Sequence, residues 1–152
     1  VVAEEVDLAD LGRRAAGLLA VKALDRRITI IAPGPDASLP AIGEFRRILQ
    51  ILVNLIGNAV RYSPEGTEVR VATEWESGQA RIAVIDQGAG VAMADRERIF
   101  EKFERLGRDD ASGSGLGLYI SRRLARAMKG DICIGGAPGE GARFILSLPV
   151  GS

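Results

Sequence analysis

Glu68-Val69-Arg70-Val71-Ala72-Thr73-Glu74-Trp75, then Ser77-Gly78, then Arg81-Ile82-Ala83-Val84-Ile85-Asp86: the reading of this stretch decides the class of fold. The first run alternates apolar with polar side chains, and the second is almost wholly apolar. The Ser-Gly pair between them turns the chain back, so the segment predicts an antiparallel hairpin. Working outward, Arg27-Ile28-Thr29-Ile30-Ile31 predicts a short strand stopped by Pro33-Gly34-Pro35, and Ser38-Leu39-Pro40 a brief edge strand. Ile132–Ile134 and Arg143–Leu148 predict two more strands, joined by a glycine-rich connection over 135–141. Helices are expected from a cap at Asp7 to about Leu24, with the stripe Leu8, Leu11, Ala15, Leu18, Leu19 and Leu24 buried. Others are expected over Glu44–Tyr62, Asp95–Phe103 and Leu116–Met128, the last ending near Gly130. Hairpins and helices in blocks, without strict βαβ alternation, predict an α+β fold. Its form is a two-layer α/β sandwich, with a mixed, mostly antiparallel sheet and helices on one face.

Composition narrows the chemistry. With 152 residues the expectation is one domain, 1–152. Twenty Lys+Arg balance 20 Asp+Glu, so no global positive field draws the chain to nucleic acid or an anionic membrane. Aromatic residues make up only 5%, too few for stacking on single strands. No histidine is present, which excludes Ser–His and Cys–His nucleophiles and histidine-ligated zinc or haem within the chain. The lone thiol, Cys133, lies between two isoleucines and reads as packed and inert. No apolar run reaches the length of a bilayer span.

Three stretches carry chemistry. In the Glu44–Tyr62 helix, Gln50, Asn54, Asn58 and Arg61 fall on one face of an otherwise apolar rod. An asparagine carbonyl suits Mg²⁺ when phosphates supply the negative charge, and Arg61 could then meet a phosphate. Hydrogen bonding of the amides to neighbouring backbone is an equal alternative. Second, Asp86-Gln87-Gly88-Ala89-Gly90-Val91 leaves an acceptor-only carboxylate at a strand end, able to read an exocyclic amine. A plain turn would use the same residues. Third, Ser112-Gly113-Ser114-Gly115-Leu116-Gly117-Leu118 runs into a helix, where exposed amides and the helix dipole favour an anion. It is neither a P-loop nor a dinucleotide fingerprint, and a flexible linker is its other reading.

In order and spacing, these stretches resemble the ATP-binding domain of the GHKL superfamily, and specifically the catalytic domain of bacterial sensor histidine kinases. Residues 50–64, with Asn54-Leu55-Ile56-Gly57-Asn58-Ala59-Val60-Arg61-Tyr62-Ser63-Pro64, resemble its N box, and 86–91 its G1 box. Arg98-Ile99-Phe100-Glu101-Lys102-Phe103-Glu104-Arg105 resembles the F box, 106–114 the lid and Gly113–Leu118 the G2 box. Val6-Asp7-Leu8 and Gly141-Ala142-Arg143-Phe144 fit as well, so the resemblance spans nearly the whole chain.

The resemblance implies a Bergerat-type fold that binds Mg²⁺ and ATP. Asn58, assisted by Asn54, would hold the metal; Arg61 would touch phosphate, Tyr62 pack on the nucleotide and Asp86 accept the adenine amine. Gly88, Gly90 and Val91 would line the base, with Ile99, Leu118 and Phe144 as pocket walls. Gly113, Gly115, Leu116 and Gly117 would cradle phosphate, and Arg105 would reach the γ-phosphate during transfer. The implied activity is that of a protein histidine kinase, catalytic domain only, because the phosphoacceptor histidine is absent. The acceptor would be a histidine-bearing dimerisation domain of the parent kinase, with a response regulator as indirect partner and neither nucleic acid nor membrane contacted. The expected setting is the cytoplasm, as an excised catalytic domain or part of a larger kinase. A non-catalytic ATP-sensing module and the other GHKL branches are the alternatives. The cluster Arg122, Arg123, Arg126 and Lys129 is expected to be a solvated helix face.

Overall fold

The structure is a computed structural model that describes residues 3–101, 117–136 and 141–150. In chain order it forms β1 (Glu4–Asp7), α1 (Leu8–Leu18), α2 (Ala20–Asp25), β2 (Thr29–Ile31), β3 (Pro40–Gly43) and α3 (Phe45–Tyr62). There follow β4 (Glu68–Glu76), β5 (Gln79–Ile85), 3₁₀ turns at Met93–Asp95 and Arg98–Phe100, α4 (Gly117–Ala127), β6 (Asp131–Gly135) and β7 (Arg143–Pro149). The main sheet runs β2-β4-β5-β7-β6; only the β2–β4 pair is parallel. A mixed, mostly antiparallel sheet under helices is the architecture expected.

The hairpin sets the register. Ser77 (φ 52°) and Gly78 (φ 79°) are both left-handed, the backbone of a two-residue turn whose twist matches the strands. Val71 therefore opposes Val84, and Val84 opposes Phe144 across the next ladder. A period of two then places Val69, Val71, Ala80, Ile82, Val84, Leu146, Leu148 and Ile132 on one buried face. The other face carries Arg70, Glu74, Arg81 and Arg143. Helices α1 and α3 pack together over the buried face, and Gly12 of α1 lies against Ile82 and Val71. Ile48, Ile51, Leu52, Leu55 and Ile56 turn one side of α3 into this core, and α4 packs on α3, β6 and β7.

Four expectations need correction. The first helix breaks at Leu19 into α1 and α2, and Leu18 (64% exposed) and Leu24 (77%) lie outside the core, while Leu19 stays buried. Ala15, Leu19 and Ala23 keep four-residue spacing and stay on the buried face, whereas Leu18 and Leu24 fall off it. Glu4–Asp7 form a strand, β1, paired antiparallel with β3, which begins two residues beyond the start of the expected Ser38–Pro40. In place of a helix from Asp95 there are two 3₁₀ turns, and Phe103 lies outside the described residues. Cys133 sits on the edge strand β6 and is exposed, because its ladder partner Ile145 belongs to the outer face.

Asp7 caps α1, as expected, and does more. Its Oδ1 accepts from the amide of Ala9 at 3.0 Å and from that of Leu39 at 2.9 Å, joining the helix start to the chain before β3. Partial burial works to raise the carboxyl pKa, but these backbone amides outweigh it and hold Asp7 below the usual carboxylate range. A depressed folded pKa means stability that is present above the unfolded pKa, about 3.9, and lost as pH falls through the folded value. Asp7→Ala should therefore cost about 1 kcal/mol at neutral pH. Urea unfolding at a series of pH values should show the two proteins converging below about pH 4. A gap that persists in strong acid would mean the carboxylate's charge contributes nothing.

Candidate functional site

Among the described residues, the C-terminal half of α3 meets the start of α4 where Gly117 lies against Asn54, and the loop after β5 where Gly88 passes the Tyr62 carbonyl. Along α3, Asn54, Asn58, Arg61 and Tyr62 are half-buried on the side away from the sheet, and Gln50 is exposed. The Asn54 Nδ2 donates to Ser121 Oγ of α4 at 3.1 Å. Gly117 comes so close to Asn54 Oδ1 that any Cβ would overlap it. The Asn54 amide nitrogen thus has a side-chain partner, and its carbonyl oxygen packs against Gly117. The Arg61 guanidinium carbon stands 6.0 Å from the centre of the Tyr62 ring.

Asp86 is the best-defined element. It follows β5 directly and is only 7% exposed. Its Oδ1 accepts from the amides of Gly88 at 2.9 Å and Ala142 at 3.0 Å, and its own amide donates to the Ala142 carbonyl. The carboxylate is locked in orientation across two segments of chain 56 residues apart. Its second oxygen, Oδ2, makes no hydrogen bond to the described residues. Gly141 makes this possible: at φ +93° it lies against the Asp86 carbonyl oxygen, with no room for a Cβ. Gly88 passes the Tyr62 carbonyl closely and Gly90 passes that of Gly141, so backbone rather than side chains rims the carboxylate.

Val91, Ile99, Leu118 and Phe144 are buried in the apolar cluster that also contains the sheet's inner face. Arg105, Gly113, Gly115 and Leu116, with the lid 106–114 and much of the F and G2 boxes, lie outside the described residues.

Arg123, Arg126 and Lys129 are exposed, as expected of a solvated helix face, whereas Arg122 turns inward and is half-buried. Arg122 donates to Glu97 at 2.6 Å and to Asp131 at 3.1 Å, and its guanidinium lies 4.3 Å from the Phe100 ring centre. Arg126 reaches Asp131 at 3.0 Å. The bond to Arg122 holds Glu97 below the usual carboxylate range. These links tie α4, the second 3₁₀ turn and β6 together, because partners distant in sequence supply the carboxylates.

Sequence reasoning missed Ser121, Gly141 and Ala142 as parts of the site. Gly141 and Ala142 were visible as part of the Gly141–Phe144 stretch that fits the resemblance, but with no role in the site. What singles them out is contact with Asp86, a tertiary fact. Among the described residues no three His, Cys, Asp or Glu side chains cluster as a metal site would. Any metal held here would rest on neutral oxygens such as those of Asn54 and Asn58, and on its own water and ligand phosphates.

Comparison with known proteins gives this geometry a context. The family described as histidine kinase-, DNA gyrase B-, and HSP90-like ATPase matches residues 43–152. The sensor-like histidine kinase SenX3 of Mycolicibacterium smegmatis is 34% identical over 149 residues, which cover 96% of this chain and 38% of that protein. The crystal structure of full-length ShkA in complex with AMPPNP is 35% identical, with a TM-score of 0.80, over 98% of this chain and 31% of that one. The ATP-binding domain of PrrB from Mycobacterium tuberculosis is 26% identical, with a TM-score of 0.77, over 100% of both chains. The chain thus spans well under half the length of SenX3. Among the described residues, no helix is long and apolar enough to cross a membrane.

Proposed function

This chain belongs to the family of histidine kinase-, DNA gyrase B-, and HSP90-like ATPases, as a catalytic domain of the sensor histidine kinase type, and from that premise we propose that it binds Mg-ATP and donates the γ-phosphate to a histidine on a separate domain of its parent kinase. The observation that carries the nucleotide assignment is Asp86: a carboxylate with one oxygen pinned by two amides and the other left for a donor. Adenine presents such a donor in its exocyclic amine. Val91, Ile99, Leu118 and Phe144 would pack on the base, and Tyr62 on the nucleotide.

Asn58 and the Oδ1 of Asn54 would hold Mg²⁺ together with the phosphates. The metal would supply charge neutralisation at the transferring group. Arg61, one turn past Asn58, would add a fixed positive charge to the phosphates. The segment with Arg105, Gly113, Gly115, Leu116 and Gly117 would close around them, with Arg105 acting on the γ-phosphate. None of these groups is a general base, so the chain contributes positioning and electrostatic stabilisation. The acceptor histidine belongs to the dimerisation domain, from which a response regulator would receive the phosphoryl group. We read 1–152 as one nucleotide-binding unit working in the cytoplasm, where ATP is available.

Calorimetric titration tests the reading. ATP should bind with Mg²⁺ and weaken at least about tenfold in EDTA, and Asn58→Ala should show the weak affinity in both conditions. Equal affinity with and without metal would remove both asparagines from the metal site. A radiolabel assay with the parent kinase's histidine-bearing helices then separates kinase from ATP sensor: phosphate on those helices supports the kinase, and binding without transfer the sensor.

A further inference from the structure

Arg96 lies between the two 3₁₀ turns and is half-buried. Its guanidinium donates to three backbone carbonyls: Nε to Val91 at 3.2 Å, Nη1 to Ile134 at 3.4 Å and Nη2 to Gly136 at 2.5 Å. The acceptors belong to the loop after Asp86, to the end of β6 and to the residue that follows β6. A planar guanidinium, with five donors in a rigid fork, can serve carbonyls spread in this way; an ammonium is a point donor without that fork.

From there the contacts lead to the base-reading carboxylate. Gly136 lies so near Gly141 that a Cβ on it would stand 3.1 Å from the Gly141 carbonyl oxygen. Gly141 in turn rests on the Asp86 carbonyl, and Ala142 donates to Asp86 Oδ1. On the other side Val91 closes the loop that begins at Asp86 and supplies the second amide, that of Gly88. Arg96 therefore holds both segments that orient Asp86 without any hydrogen bond to Asp86 itself.

We infer that Arg96 is a positioning residue for base selection: by bracing Val91 and Gly136 it fixes the direction in which Asp86 Oδ2 faces the nucleobase. This rests on the reading of Asp86 as the adenine acceptor. A brace for the fold alone would alter stability and weaken all nucleotides equally. A brace for the carboxylate's direction alters the choice between bases.

The test is the ratio of affinities for ATP and inosine triphosphate, which has a carbonyl in place of the amine. It is measured by calorimetry in wild type, Arg96→Met, Arg96→Lys and Asp86→Asn, with thermal unfolding of each. Arg96→Met should lower ATP affinity about tenfold, leave inosine triphosphate nearly unchanged and shrink the ratio accordingly. Arg96→Lys, which keeps the charge and reaches fewer carbonyls, should recover part of the ratio, and it serves alone if the methionine variant fails to fold. If Asp86→Asn collapses the ratio while both Arg96 variants keep it, the inference about Arg96 is overturned and the base-reading role of Asp86 survives. If wild type does not discriminate, or Asp86→Asn leaves the ratio intact, both are overturned.

Discussion

Gly141→Ala should be severely damaging to both fold and nucleotide binding. Gly141 has φ +93° and lies against the Asp86 carbonyl oxygen. Left-handed backbone costs a residue with a Cβ about 1–2 kcal/mol, and forcing an atom into packed surroundings about 1–3 kcal/mol more. The sum, about 2–5 kcal/mol, is a large part of the stability of an ordinary domain, about 5–15 kcal/mol. Relief can come only from moving the Gly141–Ala142 backbone away from Asp86, which breaks the Ala142 amide bond to Oδ1. Stability and ATP binding should therefore fall together. Urea unfolding would show a lower midpoint at unchanged slope, and calorimetry little or no heat with ATP. Gly17, on the exposed side of α1 with nothing within 4 Å of a built Cβ, is the control. Gly17→Ala should gain about 0.5–1 kcal/mol through helix propensity. A wild-type midpoint for Gly141→Ala would show that the loop has slack and that Asp86 is not held as described.

Asp86→Asn should keep the fold and reverse the base preference. The asparagine carbonyl oxygen can take over Oδ1's bonds to the amides of Gly88 and Ala142. Its Nδ2 then stands where Oδ2 stood, and a donor replaces an acceptor. Adenine's amine would meet another donor, whereas the carbonyl of guanine or hypoxanthine would meet a partner. Sites that hydrogen-bond a ligand group discriminate far more strongly than apolar walls do, so a loss of about 100-fold for ATP is expected, with a gain for inosine triphosphate. Asp86→Ala is the harsher change, because it leaves two amides without an acceptor, at about 1–3 kcal/mol each. If Asp86→Asn bound ATP as tightly as wild type, Oδ2 would not face the base.

The local layer of this protein was readable because its causes are local. The Ser77–Gly78 turn, the strand alternation around it and the cap at Asp7 follow from residues a few positions apart, and all three stand as expected. The site's raw material was readable too, since Asn54, Asn58 and Arg61 share a helix face and Asp86 directly follows a strand. The division of the first helix at Leu19 was not, because Ala15, Leu19 and Ala23 keep helical spacing across it and no local pattern marks the break. Nor were the two 3₁₀ turns, whose shape follows Arg96 and Arg122 reaching carbonyls and carboxylates elsewhere in the chain.

By itself the sequence determined the hairpin-based class of fold, the apolar faces and the order of the chemical groups, since side-chain periodicity and turn chemistry act over a few residues. The tertiary structure decided which of those groups are oriented. Asp86 becomes a directed acceptor only when Ala142 arrives from 56 residues away, and Asn54 gains its partner only when Ser121 does. Gly141 and Arg96 matter through close approaches and diverging bonds that no local pattern encodes. Hydrogen bonds require atoms within about 3 Å at defined angles, and only the packed sheet and helices bring such distant segments that close.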